Sequence, residues 1–241
     1  MAVATRKYSG FVAFKKNVLS CSTAEHVLQR QTIQNPLQFK PDMIVKRFVT
    51  FLQQFVPITD EEIKKVILPA ILVRKFKKKE IITHAGEVER YINFIDSGLA
   101  KKYYLQEGEE KVVQIAIKGH LISCETSFYT QTASNYTIQA IAPVRMVGLE
   151  YHQLEDVFAS NHKFERLGRL LNIQMMLLKD AWYINLISTN PKERFLNFMN
   201  KYPTILNTIP QKDIASYLNM KPETFSRFKH LMLQQVPVSD E

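Results

Sequence analysis

Between residues 72 and 150 the chain is a series of short apolar runs separated by turn residues, and this pattern narrows its possible folds more than any other. The runs fall at 72–76, 80–83, 91–96, 99–105, 111–117, 137–142 and 145–150, and are rich in Ile, Val, Tyr and Phe. Gly86, Gly98, Gly108 and Gly119 stand at the breaks. Segments this short and this often interrupted cannot carry long helices. Alternation in and out, as in Tyr91-Ile92-Asn93-Phe94-Ile95, suits strands of a sheet. Many such strands with glycine turns predict an antiparallel sandwich or barrel.

The period changes on both sides of this stretch. Ahead of it, Ile44, Phe48, Phe51, Leu52 and Phe55 recur at helical spacing and end at Pro57. Thr59 stands three positions before Glu62, a capping pair that opens a second short helix carrying Ile63, Val66 and Ile67. Residues 1–42 are basic and without sustained period. They read either as a poorly packed extension, with Met43 a plausible start, or as an ordinary N-terminal helix.

Behind the strands, residues 161–188 form one long helix with two apolar stripes. Phe164, Leu167, Leu171, Met175, Leu178, Trp182 and Leu186 make the first; Leu170, Ile173, Leu177, Ala181 and Ile184 make the second. A surface helix needs a single apolar face. The second face predicts a homodimer through 161–188, the alternative being a helix buried within one chain. At Asn190-Pro191-Lys192-Glu193 a further helix starts with a capping residue, a first-turn proline and a third-position acid.

The segment from Ile209 to Leu231 reads IPQKDIASYLNMKPETFSRFKHL. A helix-turn-helix needs a small residue where its two helices cross, and Ala215 supplies one. Four residues on, Asn219 is a side chain that tolerates a left-handed turn. Phe225 and Phe228 would pack back on Ile214, Leu218 and Met220, with Pro222 in the first turn. The outer face then carries Glu223, Thr224, Ser226, Arg227 and Lys229, with Gln211, Lys212 and Lys221 placed to hold phosphates. Arg227 suits a guanine edge and Glu223 a cytosine amino group. The formal net charge of +9 points towards a polyanion or an acidic surface without choosing between them, and this segment makes double-stranded DNA the expected partner.

Taken together, these halves resemble the Crp/Fnr family of transcription regulators over about residues 44–231. The resemblance rests on Lys79-Glu80-Ile81-Ile82, Ala85-Gly86-Glu87, the run from Tyr91 to Gly98, Lys118-Gly119-His120-Leu121-Ile122 and Glu223-Thr224-Phe225-Ser226-Arg227. It implies an α+β chain: a cyclic-nucleotide-binding-like jelly roll, a long dimerisation helix and a C-terminal winged-type helix-turn-helix. Glu223 and Arg227 fall at the family's base-contacting positions. The ligand cassette maps onto Gly119, Cys124, Glu125, Ser134 and Asn135. Family members that bind cyclic AMP use an acid after the cassette glycine and an Arg-Ser pair about ten residues on. Here those positions are Cys124 and Ser134-Asn135, without a cation, and Lys118 and Arg145 are the nearest basic residues in sequence. A buried phosphate without a facing cation is costly, so cyclic-AMP binding is expected to be lost. Two further departures are Pro222, where a basic residue often stands, and the roughly ten residues after the reading helix, which imply a reduced or absent wing.

The expected division is an extension over 1–42, a sensor roll over 43–160, a dimerisation helix over 161–188 and a DNA-binding domain over 189–241. The alternative function is a ligand- or protein-binding module of the same fold that no longer reads DNA. Cys21 and Cys124 are too sparse for a disulfide framework or thiolate cluster, and a cytoplasmic setting fits. His84, His120 and His152 lack metal-ligand spacing, so no metal, cofactor or catalytic site is expected. No membrane-spanning run is present in the sequence. An unknown small-molecule effector is left open.

Overall fold

The structure is a computed structural model that describes residues 43–203 and 205–234. The 1–42 extension, with Cys21, and the tail Asp240-Glu241 lie outside the described residues.

Among the described residues, eight strands form two four-stranded antiparallel sheets. They are β1 (Ile71–Phe76), β2 (Ile81–Thr83), β3 (Tyr91–Ser97), β4 (Ala100–Gln106), β5 (Glu109–Ala116), β6 (Leu121–Ile122), β7 (Thr137–Ala140) and β8 (Val144–Glu150). One sheet runs β1-β8-β3-β6 and the other β2-β7-β4-β5. The chain is thus α+β, an antiparallel roll of jelly-roll type followed by helices. Ile95, Ala116, Ile122, Ile138 and Met146 fill the space between the sheets. At Gly98 the chain turns from β3 into β4 with φ +88°, and a Cβ there would meet the Pro143 carbonyl oxygen at 2.0 Å. No other residue fits that corner.

Helices cover both outer faces. On the first sheet lie α1 (Met43–Gln53) and α5 (Tyr151–Ser160), and Phe48 and Phe51 pack their rings on Phe94. With both sides covered, Asn93, Phe94, Ile95 and Asp96 of β3 are all buried. A capped turn, α2 (Asp60–Glu62), leads through a π-helical turn (Ile63–Ile67) into α3 (Leu68–Ala70). Thr59 and Glu62 make the expected reciprocal cap.

Three elements depart from the expectations. The stretch after Gly119 holds β6 and a short α4 (Glu125–Thr130), and α5 precedes the long helix as a separate element. A two-residue strand and a six-residue helix are shorter than any period that a sequence can display.

The long helix α6 (His162–Ser188) spans about 40 Å at 1.5 Å per residue. Phe164 and Leu167 of its first stripe are buried and Trp182 is half-buried, whereas Leu178 is exposed. On the second stripe Ile173, Leu177, Ala181 and Ile184 are exposed. Three helices follow: α7 (Pro191–Lys201), α8 (Gln211–Tyr217) and α9 (Pro222–Gln234). Among the described residues no helix is long and apolar enough to cross a membrane.

Asp96 ties α1 to the roll. Its side chain is fully buried between Arg47 (2.5 Å) and Arg145 (2.8 Å). Burial opposes its ionisation, but the two arginines outweigh that and hold the carboxyl below its usual value. A depressed native value stabilises the fold above the unfolded-state pKa of about 3.9, and that contribution is lost as pH falls through the native value. Asp96→Asn is therefore expected to be less stable than wild type at pH 7 in urea melts. The deficit should shrink below about pH 4.

Candidate functional site

The C-terminal helices form a compact three-helix unit. Asn190 and Glu193 make a reciprocal cap at the start of α7. The α8–α9 turn passes through Asn219 at φ +51°, the left-handed residue expected there. Ala215 is fully buried at the crossing, and its carbonyl accepts the Met220 N–H at 3.0 Å. Phe225 is fully buried with its ring edge-on to Phe195 at 5.2 Å, and Phe228 lies 5.8 Å from the same ring.

This packing turns one face of α9 outward. Glu223, Ser226 and Arg227 are exposed; Thr224 and Lys229 are half-buried. Gln211 and Lys212 are exposed at the start of α8, and Lys221 is exposed just before α9. His230, also exposed, continues the same face three residues beyond Arg227. Sequence reasoning passed over it, although the i, i+3 spacing was the available signal.

The inner face of α8 is seated on the β4–β5 hairpin of its own roll. Asp213 lies 3.1 Å from the buried Lys101 ammonium, which also reaches Glu110 at 2.5 Å. Burial disfavours the Lys101 charge, but the Glu110 hydrogen bond and the Asp213 charge raise its pKa above the usual lysine value. Ser216 Oγ donates to the Glu110 carbonyl and accepts from the Val112 N–H, both at 2.9 Å. Tyr217 stacks on Trp182 of α6 with ring centroids 4.3 Å apart, and burial pushes its phenol pKa upward.

The cassette is the second site. Gly119 makes the turn into β6 at φ +87°. Cys124 stands at the position before α4 and is buried, which pushes its thiol up to about 11 and leaves it unreactive near neutral pH. Ser134 is buried and its Oγ bonds to both the N–H and the carbonyl of Tyr136, whereas Asn135 is exposed. Cys124 Sγ also approaches the Tyr136 carbonyl, at 3.7 Å. Cys124, Glu125 and Ser134 thus gather at the cassette, and Asn135 stays outside.

A cation does reach the cassette, from a place that spacing did not suggest. Lys102 of β4 points into the roll, donating to the Ser123 carbonyl at 2.9 Å and the Glu125 carboxylate at 2.7 Å. The other Glu125 oxygen lies 3.1 Å from Lys179 of α6, without hydrogen-bond geometry. Burial opposes the charge of Glu125, but Lys102 outweighs it and lowers the carboxyl pKa. Beneath lies Glu89, 1% exposed, which accepts from Thr83 Oγ1, the Tyr91 N–H and the Cys124 N–H. Burial raises its pKa. No local motif marked Glu89, Lys102 or Lys179, because the fold brings them together from separate elements.

Comparison with known proteins agrees with this geometry. Residues 73–161 match the cyclic nucleotide-binding domain. The fold is similar to that of FixK2 from Bradyrhizobium japonicum, at 17% identity and TM-score 0.60, covering 71% of this chain and 89% of that one. It is also similar to a putative Crp/Fnr-family transcriptional regulator from Eubacterium rectale, at 15% identity and TM-score 0.57, covering 73% and 85%. A CooA variant from Carboxydothermus hydrogenoformans matches at 15% identity and TM-score 0.55, covering 74% and 87%. A sequence search of curated proteins gave no match. The chain therefore has the fold of Crp/Fnr-type regulators, a cyclic nucleotide-binding-type roll followed by a long helix and a C-terminal helical unit.

Proposed function

We propose that this chain is a homodimeric transcription regulator of Crp/Fnr type that binds specific double-stranded DNA and does not respond to cyclic AMP. The observation that carries the reading is the outward face of α9, with Glu223 and Arg227 one helical turn apart on a helix whose opposite side packs on α7 through Phe225 and Phe228. Each subunit places that face in a major groove, and Gln211, Lys212 and Lys221 contact phosphates. On this reading 43–160 is the sensor, 161–188 the dimerisation helix and 189–241 the reading head.

The exposed stripe of α6 supports the dimer. Ile173, Leu177, Ile184 and Ile187 are 39–67% exposed on one side of a helix whose opposite side packs on its own chain. Apolar surface in this arrangement calls for a second helix. Ile184→Glu is expected to convert the dimer to a monomer in sedimentation equilibrium and to weaken DNA binding with it.

The cassette argues against cyclic AMP. Its buried cation, Lys102, is already engaged by an ionised Glu125, and a cyclic phosphate placed there would face that carboxylate. Titration calorimetry with cyclic AMP is expected to show no binding. Selection from random-sequence DNA at physiological salt tests the whole reading. Enrichment of a half-site repeat is expected; the absence of any enriched sequence defeats it.

A further inference from the structure

Arg194 lies on α7 at 6% exposure, and among the described residues no carboxylate pairs with it. A buried cation in that state is strongly unfavourable unless other groups replace its hydration. Four main-chain carbonyls do so, and they belong to two different helix ends. Nη1 donates to the Leu186 carbonyl at 3.2 Å and to the Thr189 carbonyl, at the end of α6. Nε donates to the Leu218 carbonyl at 3.0 Å and Nη2 to the Asn219 carbonyl at 3.4 Å, at the end of α8. Helix C-termini carry carbonyls without intrahelical partners and a partial negative charge. One guanidinium thus satisfies both ends and offsets both dipoles. Its planar fork of five donors spans the gap, which a lysine's compact ammonium cannot do.

The place of this contact gives it a role. Thr189 is extended (φ −115°, ψ 147°) and is the single residue between the end of α6 and the cap of α7. The direction in which α7 leaves α6 is set at this one residue. Leu218 and Asn219 are the turn that aims α9. We infer that Arg194 is a positioning residue that locks the reading head to the end of α6, fixing the angle of α9 and, in the dimer, the distance between the two reading helices. The consequence for DNA rests on the function proposed above; the mechanical lock does not.

The test uses the full chain with spin labels at Gln174→Cys on α6 and His230→Cys on α9, Cys21 replaced by Ser and labelled protein diluted with unlabelled. Both labelled positions are exposed, and the native Cys124 is buried and resists labelling. Wild type is expected to give one narrow distance. Arg194→Met and Arg194→Lys should each broaden it about two-fold or more while keeping dimer mass and helix content. In DNA binding they should lose discrimination between half-site spacings that differ by one base pair. A residue that only stabilises the fold would lower the melting midpoint without moving either readout. Where Arg194→Met does not fold, Arg194→Lys and Arg194→Gln decide. An unchanged distance distribution in folded variants overturns the inference. Failure of wild type to select any DNA sequence counts against the function alone, because the label distances still report on the lock.

Discussion

Arg227→Ala is expected to weaken specific DNA binding strongly while leaving the melting temperature where it was. A well-placed arginine on a base edge is worth about 1–3 kcal/mol of discrimination. A palindromic site engages two copies, so affinity should fall by about 30-fold or more. Arg227 is exposed, and among the described residues its guanidinium lies only over the Phe228 ring, at 5.5 Å, so little folding energy is at stake. Lys212→Ala is the control for the phosphate contacts. It should weaken binding to all sequences alike and flatten the salt dependence by about one unit of slope per head. If Arg227→Ala binds the selected site as tightly as wild type, α9 is not the reading helix.

The largest stability effect is expected from Phe225→Ala. The ring is fully buried, meets Phe195 at 5.2 Å and belongs to a core that joins Ile214, Ala215 and Leu218 to Val112 and Ile115 of the roll. Removing a buried aromatic ring costs about 3–5 kcal/mol in lost burial and cavity formation. The interior of the roll is a separate cluster, built from Ile95, Ile122, Ile138 and Met146. The reading head should therefore melt first, and calorimetry should show a new, lower transition ahead of the main one. Loss of DNA binding should follow that transition. A single transition close to that of wild type would contradict the packing described.

Both predictions act on a segment whose design was visible early. Ala215, Asn219, Phe225 and the Asn190–Glu193 cap were legible because each answers a local demand: a close crossing, a left-handed turn, an inward face, a helix start. The strands were legible for a related reason, since alternation and glycine corners operate over a few residues. Lys101 and Lys102 were not. Nothing in their spacing marked these two adjacent lysines, yet both are buried, one turned out against α8 and the other in against the cassette. The expectation that no cation serves the cassette was drawn from neighbours in sequence, and it missed a lysine lying 23 residues before Glu125 in the chain. Arg194 was passed over for the same reason, because its partners are carbonyls, and a carbonyl carries no sequence signal.

What this sequence specifies unaided is the set of elements and their faces: strands, capped helices, a turn of defined hand and a polar outward face on α9. Those properties depend on dihedral preference and on period, which are short-range. Only the folded chain decides how charges meet: Glu125 between Lys102 and Lys179, Asp213 against Lys101, Arg194 across two helix ends. Such pairings join residues far apart in the chain. They are set by which surfaces come together once apolar burial has positioned the elements, and a buried charge is tolerable only where that assembly supplies its partner.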